Sequence, residues 1–371
     1  MKLQILQENL EKAVSITSRF ASVKAQLPIL GNILLSTQKS KIYISSTNLE
    51  ISASVQVGAK IDEEGEISIP SKVISELVAN LPKETISLTA EKEQLKISAS
   101  GFSSTILGMN SSDFPKVINS LSKEKAIVFS QEELSKALGQ VVFATSTDET
   151  RPILTGVLFL FGKNSISLVA TDGFRLSRKT FLVKEVKGSE NSVVIPKGVL
   201  GELLRTVSEN GEILFGLQEK EKQVVFSLGD VVLTSRLLEG EYPDFEKIIP
   251  KSSNIKILLD KEELTRAVKL ASIFARESAN IVKLQILKDE IKVSAESSSA
   301  GSQETSVEAK IESSQKDFEI AFNYRFLEDF LHSVQGEEVK MEFSGVSSAG
   351  VFTDTSDNSY LHLIMPVKVQ S

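Results

Sequence analysis

Apolar residues along this chain keep two different rhythms. From Gln7 onward, Leu10, Ala13, Val14 and Thr17 recur at helical spacing with polar residues between them, which predicts a helix with one buried stripe. Further on, Ile42 and Ile44, then Leu49, Ile51, Ala53, Val55 and Val57, alternate with polar neighbours as strands with one buried face do. Ile69-Pro70 opens a second helical pattern that ends near Leu81, proline being well tolerated in a first helical turn. Ile86-Leu88 and Leu95-Ile97-Ala99 predict two closing strands.

That texture returns twice. Gln7-Glu8-Asn9-Leu10-Glu11-Lys12-Ala13-Val14 is repeated as Gln131-Glu132-Glu133-Leu134-Ser135-Lys136-Ala137-Leu138, and again as Lys261-Glu262-Glu263-Leu264-Thr265-Arg266-Ala267-Val268. Pro28-Ile29-Leu30 matches Pro152-Ile153-Leu154, and Thr47-Asn48 matches Thr171-Asp172, each 124 residues later, the spacing that also separates Gln7 from Gln131. Ile195-Pro196 and Phe322 keep the second helix in step. Matching strands are Ile166-Leu168-Ala170, Ile213-Phe215-Leu217 and Val224-Phe226-Leu228, then Val282-Leu284-Ile286, Ile291-Val293-Ala295 and Val339-Met341-Phe343. Several landmarks agreeing in order and spacing predict an α+β protein of three repeated domains, each with two helices on antiparallel sheets. The expected boundaries are 1–122, 123–251 and 252–371, with linkers at Asp113-Phe114-Pro115 to Lys125 and Tyr242-Pro243-Asp244-Phe245 to Asn254. Ser297 to Ser302 reads as an exposed flexible loop.

Composition narrows the chemistry. The 371 residues are 41% hydrophobic, ample for a core, and the absence of cysteine excludes disulfides, thiolate metal sites and thiol nucleophiles. Neither histidine, His332 nor His362, has a second ligand at metal-binding spacing, so no metal or other cofactor is expected. Nucleophile elbow, phosphate loop and dinucleotide fingerprint are all missing. Thr171-Asp172-Gly173-Phe174-Arg175 suggests a catalytic pair, Asp172 with Arg175, in an enzyme hydrolysing a sugar or phosphate ester. Asp172, however, occupies the repeat position of Asn48, and both residue types shape turns between strands. A β-rich scaffold without DNA is a further alternative. The N-terminus lacks the apolar run of a signal peptide and no stretch is long enough for a membrane helix, so the expected location is cytoplasmic, with no membrane partner.

A formal charge of −7 argues against a simple nucleic-acid binder. Yet Lys12, Lys136 and Arg266 share one repeat position, away from the apolar stripe. Arg19, Lys24, Lys72, Lys197, Arg205, Lys269 and Arg276 lie on or beside helices of the same class. Were those helices to point one way, they would give an acidic body a basic lining that meets phosphates without reading bases.

Leu27-Pro28-Ile29-Leu30-Gly31-Asn32, Ala170-Thr171-Asp172-Gly173-Phe174-Arg175-Leu176, Glu241-Tyr242-Pro243-Asp244-Phe245 and Met365-Pro366 together make the chain, over essentially its whole length, resemble the bacterial sliding clamp, the beta subunit of DNA polymerase III. The resemblance implies a non-enzymatic processivity factor: a head-to-tail homodimer closed as a ring around double-stranded DNA, held by topology rather than sequence. It also implies a groove between the second and third domains for short peptide motifs of the polymerase catalytic subunit, the clamp loader and repair proteins. Carried over by position, that groove comprises Leu154, Thr171, Gly173, Phe174, Arg175, Leu176, Pro243, Lys247, Ile248, Asn323, Phe326, Leu363, Ile364, Met365, Pro366 and Val367. Phe174 and Lys247 stand where the family often has histidine and arginine, which implies a shifted peptide preference. Pro152 and Ile153 replace aromatic residues that touch DNA in relatives, whereas Lys24, Lys72 and Arg151 suit phosphate contact. At the dimer seam, the resemblance points to Ile106 and Leu107 meeting Ile273 and Phe274.

Overall fold

The computed structural model describes residues 1–22, 27–186, 192–207, 211–313 and 318–368. Six α-helices are found among them, two per repeat: α1 (Gln7–Thr17), α2 (Ser71–Ala79), α3 (Gln131–Gly139), α4 (Lys197–Thr206), α5 (Lys261–Ala275) and α6 (Tyr324–Ser333). Each begins where the apolar rhythm changes. The stripe on α1 is buried as the spacing predicts, through Leu10, Ala13, Val14 and Thr17. On α5 the same pattern runs longer, through Leu264, Ala267, Val268, Ala271 and Ala275, and Asp260 caps the helix by accepting the Glu263 N–H at 2.8 Å. A strand precedes the first helix of every repeat (Lys2–Leu6, Ile127–Ser130, Ile255–Asp260), which the helical reading of those segments passed over.

The chain forms two compact units, Met1–Glu132 with Gly201–Leu237, and Glu133–Leu200 with Leu238–Ser371. Three repeats become two units because the second repeat gives one sheet half to each. In the first unit an eight-stranded antiparallel sheet carries strands of the first repeat next to Val231–Arg236 of the second, the junction being the pairing of Val231–Arg236 with Ile51–Gly58. A five-stranded sheet with edges Lys60–Glu63 and Phe102–Leu107 lies in the same unit. In the second unit a twelve-stranded sheet joins the second and third repeats, where Arg175–Leu182 pairs antiparallel with Tyr360–Ile364.

Cores follow the repeats. The third repeat buries Phe322, Phe330, Phe343 and Phe352 against the stripe of α5, their rings meeting edge-on or stacked at 5.5–6.2 Å. The predicted linkers are anchored rather than free, since Phe114 and Phe245 are both buried, each in an apolar cluster. Ser297 to Ser302 is a hairpin turn between Glu290–Ser297 and Gly301–Ser313, with residues 298–302 exposed. The Ser297 hydroxyl accepts the N–H groups of Ser299 and Ala300, and Gly301 supplies a positive φ of 96°.

Candidate partner groove and basic surface

The Thr171–Arg175 segment folds as a turn built by its own side chains. Asp172 Oδ1 accepts the N–H groups of Phe174 (2.9 Å) and Arg175 (3.0 Å), while the Thr171 hydroxyl donates to the Arg175 carbonyl (2.6 Å) and accepts the Gly173 N–H (3.1 Å). Gly173 has φ 94°, which a side chain would strain. The other oxygen of Asp172 takes the Arg175 Nε–H at 3.0 Å. The carboxylate is thus spent on the turn and on Arg175, which removes the motive for the catalytic reading.

Beyond the turn, strand alternation sends neighbouring residues to opposite faces. Leu176 and its cross-strand partner Leu363 point to one face and share an apolar cluster with Leu158, Val169, Val194, Phe245 and Ala349, flanked by Ile153, Tyr242, Ile249 and Val351. One floor is therefore made by two repeats. Arg175 and Ile364 occupy the opposite face. Ile364 belongs to the core of the third repeat, on the face opposite that floor, so its side chain is no part of the floor. Arg175 is held by Asp172, by an ion pair with Asp329 of α6 and by the Phe143 carbonyl at 2.7 Å. Its guanidinium also lies over the rings of Phe143 (5.4 Å) and Phe326 (4.6 Å).

Several other predicted groove residues surround the turn. Phe174 is 62% exposed, although its carbonyl is pinned by the Met365 N–H at 2.8 Å, and Met365 is itself half-exposed. Ile248 is exposed, Pro243 and Lys247 stand in solvent, and Lys247 pairs with Asp244 at 2.8 Å. Leu154 and Thr171 are buried. Asn323 caps α6, Pro366 is partly buried, and Val367 donates its N–H to the Ala321 carbonyl at 2.8 Å. Tyr242, Phe245, Leu158 and Ala349 are members or neighbours of the floor that the sequence reading left out of the groove. An aromatic pair in a polar, proline-containing linker was the available signal.

Beneath the floor, on the Arg175 face, lies His362, fully buried and stacked on Phe330 at 5.5 Å. Its Nδ1 is 2.6 Å from the Ser177 hydroxyl. Burial, reinforced by the nearby Arg175 charge, pushes the imidazole down to about 3, so it is neutral near pH 7.

The predicted basic residues are exposed wherever they are described, but their surroundings differ. Lys12, Arg19 and Arg205 line one cleft of about 610 Å³ in the first unit, together with Asn9 and Gln56. Glu202 bridges Arg19 (2.9 Å) and Arg205 there. Lys72 on α2 is open to solvent. In the second unit Lys136 is 4.0 Å from Asp357, and Arg151 pairs with Asp148 at 2.9 Å. Lys197, Arg266 and Lys269 are exposed on their helices. Lys24 lies outside the described residues. At the predicted dimer seam Leu107 and Ile273 are 69% and 57% exposed and Phe274 is partly buried. Ile106 is buried at 5%, because alternation turns it inward from an edge strand. Among the described residues, no group of three or more histidine or acidic side chains could hold a metal, and no helix is long and apolar enough to cross a membrane.

Three helix-and-sheet repeats, joined edge to edge by sheets that cross the repeat boundaries, define the class of DNA clamps. Family models of the DNA polymerase III beta subunit match the N-terminal domain over residues 1–118, the central domain over 128–244 and the C-terminal domain over 246–368. The chain belongs to the DNA polymerase III beta subunit family. A beta sliding clamp of Staphylococcus aureus is 29% identical over 99% of both chains, and one of Staphylococcus epidermidis is 28% identical over the same share. The DNA polymerase sliding clamp of Bacillus subtilis superposes with a TM-score of 0.94 at 27% identity, and the beta subunit of Thermotoga maritima with 0.88 at 27%, each covering 100% of both chains. The protein is a DNA sliding clamp for the replicative polymerase, a processivity subunit and not a catalytic enzyme.

Proposed function

We propose that the floor made by Leu176 and Leu363 receives short peptide motifs from the polymerase catalytic subunit, the clamp loader and repair proteins. Two copies of the chain, in this reading, close as a cytoplasmic ring around double-stranded DNA. The three repeats act as domains 1–122, 123–251 and 252–371. Lys12, Arg19, Lys24, Lys72, Lys136, Arg151, Lys197, Arg205, Arg266 and Lys269 meet phosphates, and Leu107 meets Ile273 and Phe274 of the second copy.

The observation that carries the groove is the shared apolar cluster of Leu176 and Leu363, with the half-exposed Phe174 and Met365 tied together at its rim. A concave apolar floor with a few fixed polar groups is what an extended peptide requires. For the ring, a net charge of −7 fits retention by topology, since weak, screened phosphate contacts let a closed ring slide. The test is to load the protein on nicked circular DNA and then linearise the circle. Retention on the circle and loss from the linear form are expected; equal retention on both would reject the ring.

A further inference from the structure

The strand pair that carries the apolar floor has a polar back. On the face opposite Leu176 and Leu363, three rungs of side chains tie the second repeat to the third. Arg175 reaches Asp329, Ser177 meets His362, and Lys179 is the third. Lys179 is only 6% exposed. Its ammonium donates to both oxygens of Asp357 (2.7 and 2.5 Å) and to the Ser359 hydroxyl (2.6 Å), in the turn just before the strand Tyr360–Ile364. Gln140 also donates to this carboxylate, at 3.3 Å.

The equivalent strand pair in the first unit has no such back. Ile51, Ala53 and Val55 stand 124 residues before Arg175, Ser177 and Lys179, and their cross-strand partners are Ser235, Leu233 and Val231. These three rungs of the first-unit strand pair are therefore held by uncharged side chains and backbone bonds. A buried ion pair adds little net stability over such packing, because desolvating both charges consumes most of the attraction. What it does add is geometry. Side chains alternate along a strand, so a slip of one residue between the two strands would turn Leu363 away from Leu176 and break the floor.

We propose that Lys179, acting through Asp357 and Ser359, is a positioning residue for partner binding: it sets the register of the strand pair whose other face is the peptide floor. The proposal rests on the reading of that floor as the partner groove. Lys179 sits four residues along the strand from Arg175 and touches no residue of the floor cluster in its bonds, so its effect reaches the groove only through the strand.

The test uses the full chain and a fluorescein-labelled pentapeptide with three polar residues followed by two large apolar ones, whose last two side chains suit an apolar floor. The paired replacement Lys179→Met with Asp357→Asn keeps the volume and removes both charges. It should leave the melting temperature and the dimer mass essentially unchanged, weaken the peptide at least tenfold and speed amide exchange at Leu361 and Leu363. Lys179→Arg should restore affinity to within about threefold. If the paired variant does not fold, Ser359→Ala, which removes one bond of the rung, should still weaken the peptide two- to fivefold. Met365→Asp, at the exposed rim, is the control for the groove itself and should abolish binding without unfolding the chain. Normal peptide affinity in the Lys179 variants, with binding lost in Met365→Asp, overturns the positioning role and leaves the groove standing. A peptide that ignores Met365→Asp removes the groove and the positioning role together.

Discussion

The two junctions between repeats begin from one template and end in different chemistry. Thr47-Asn48-Leu49-Glu50-Ile51 and Thr171-Asp172-Gly173-Phe174-Arg175 make the same turn. Asn48 Oδ1 accepts the N–H groups of Glu50 (3.0 Å) and Ile51 (2.8 Å), just as Asp172 Oδ1 does one repeat later, and Leu49 takes a φ of 75° where Gly173 has 94°. Past the turn they part. In the first unit the strand continues with uncharged rungs, and a polar side-chain contact lies beyond them, where the half-buried Gln56 meets Asp230 at 3.0 Å. In the second unit the same positions are charged or polar, and each reaches a partner more than 150 residues away in sequence. Uncharged rungs and backbone bonds thus join the repeats in the first unit, and the added polar rungs belong to the junction with a floor to hold.

Unbalanced charge at either junction should break this comparison most severely. Asp357→Ala leaves Lys179 buried without its carboxylate, and Val55→Lys buries a new ammonium opposite Val231; each should cost about 3–5 kcal/mol in denaturant unfolding. A loss below about 1 kcal/mol for Asp357→Ala would show that the pair is not desolvated as its burial implies. Next in size is truncation of the floor. Leu363→Ala, at 2% exposure, should destabilise by about 2–4 kcal/mol, whereas Leu49→Ala in the exposed first-unit turn should change stability by less than about 0.5 kcal/mol.

Acid separates the junctions more gently. His362 is held neutral down to about pH 3, so the unfolded chain binds the extra proton first, and stability should fall as pH drops below about 6.5. Asp357 works in the same direction but lower: burial pushes its carboxyl up, yet hydrogen bonds from Lys179, Ser359 and Gln140 outweigh this and hold it at about 2. Its contribution is present above about pH 4 and is lost as pH falls from about 4 to about 2. Melting temperatures between pH 7 and 4 should decline less in a Ser177→Ala, His362→Leu double variant, and an identical decline would remove His362 as the cause. The smallest effect is expected at the edge of the first junction, where Gln56→Ala should cost about 0.5 kcal/mol or less in the same unfolding measurement.

How much of this was legible in the chain follows from the distance over which each feature acts. The helices, the Asp172 turn and the threefold repeat are local patterns, readable from spacing alone. Cross-repeat pairing is not local: nothing near Lys179 announces Asp357, and nothing near Ser177 announces His362. The family resemblance assigns Ile364 and Ile106 to binding surfaces by position, and position along the chain does not reveal which face of a strand a residue takes. Only the register, Arg175 opposite Ile364 and Leu95 opposite Ile106, decides that. The buried Phe114 and Phe245 were hidden by linkers whose proline and polar residues read as solvent-exposed.

Sheets that run across the repeat boundaries also limit how the chain can be divided. Cutting out the middle repeat would strip Val231–Arg236 of Ile51–Gly58 and Arg175–Leu182 of Tyr360–Ile364, leaving two raw strand edges with unpaired N–H and C=O groups. Such a fragment is expected to stick to itself rather than stay dispersed, so a repeat of this kind can be duplicated in a gene far more easily than it can live alone.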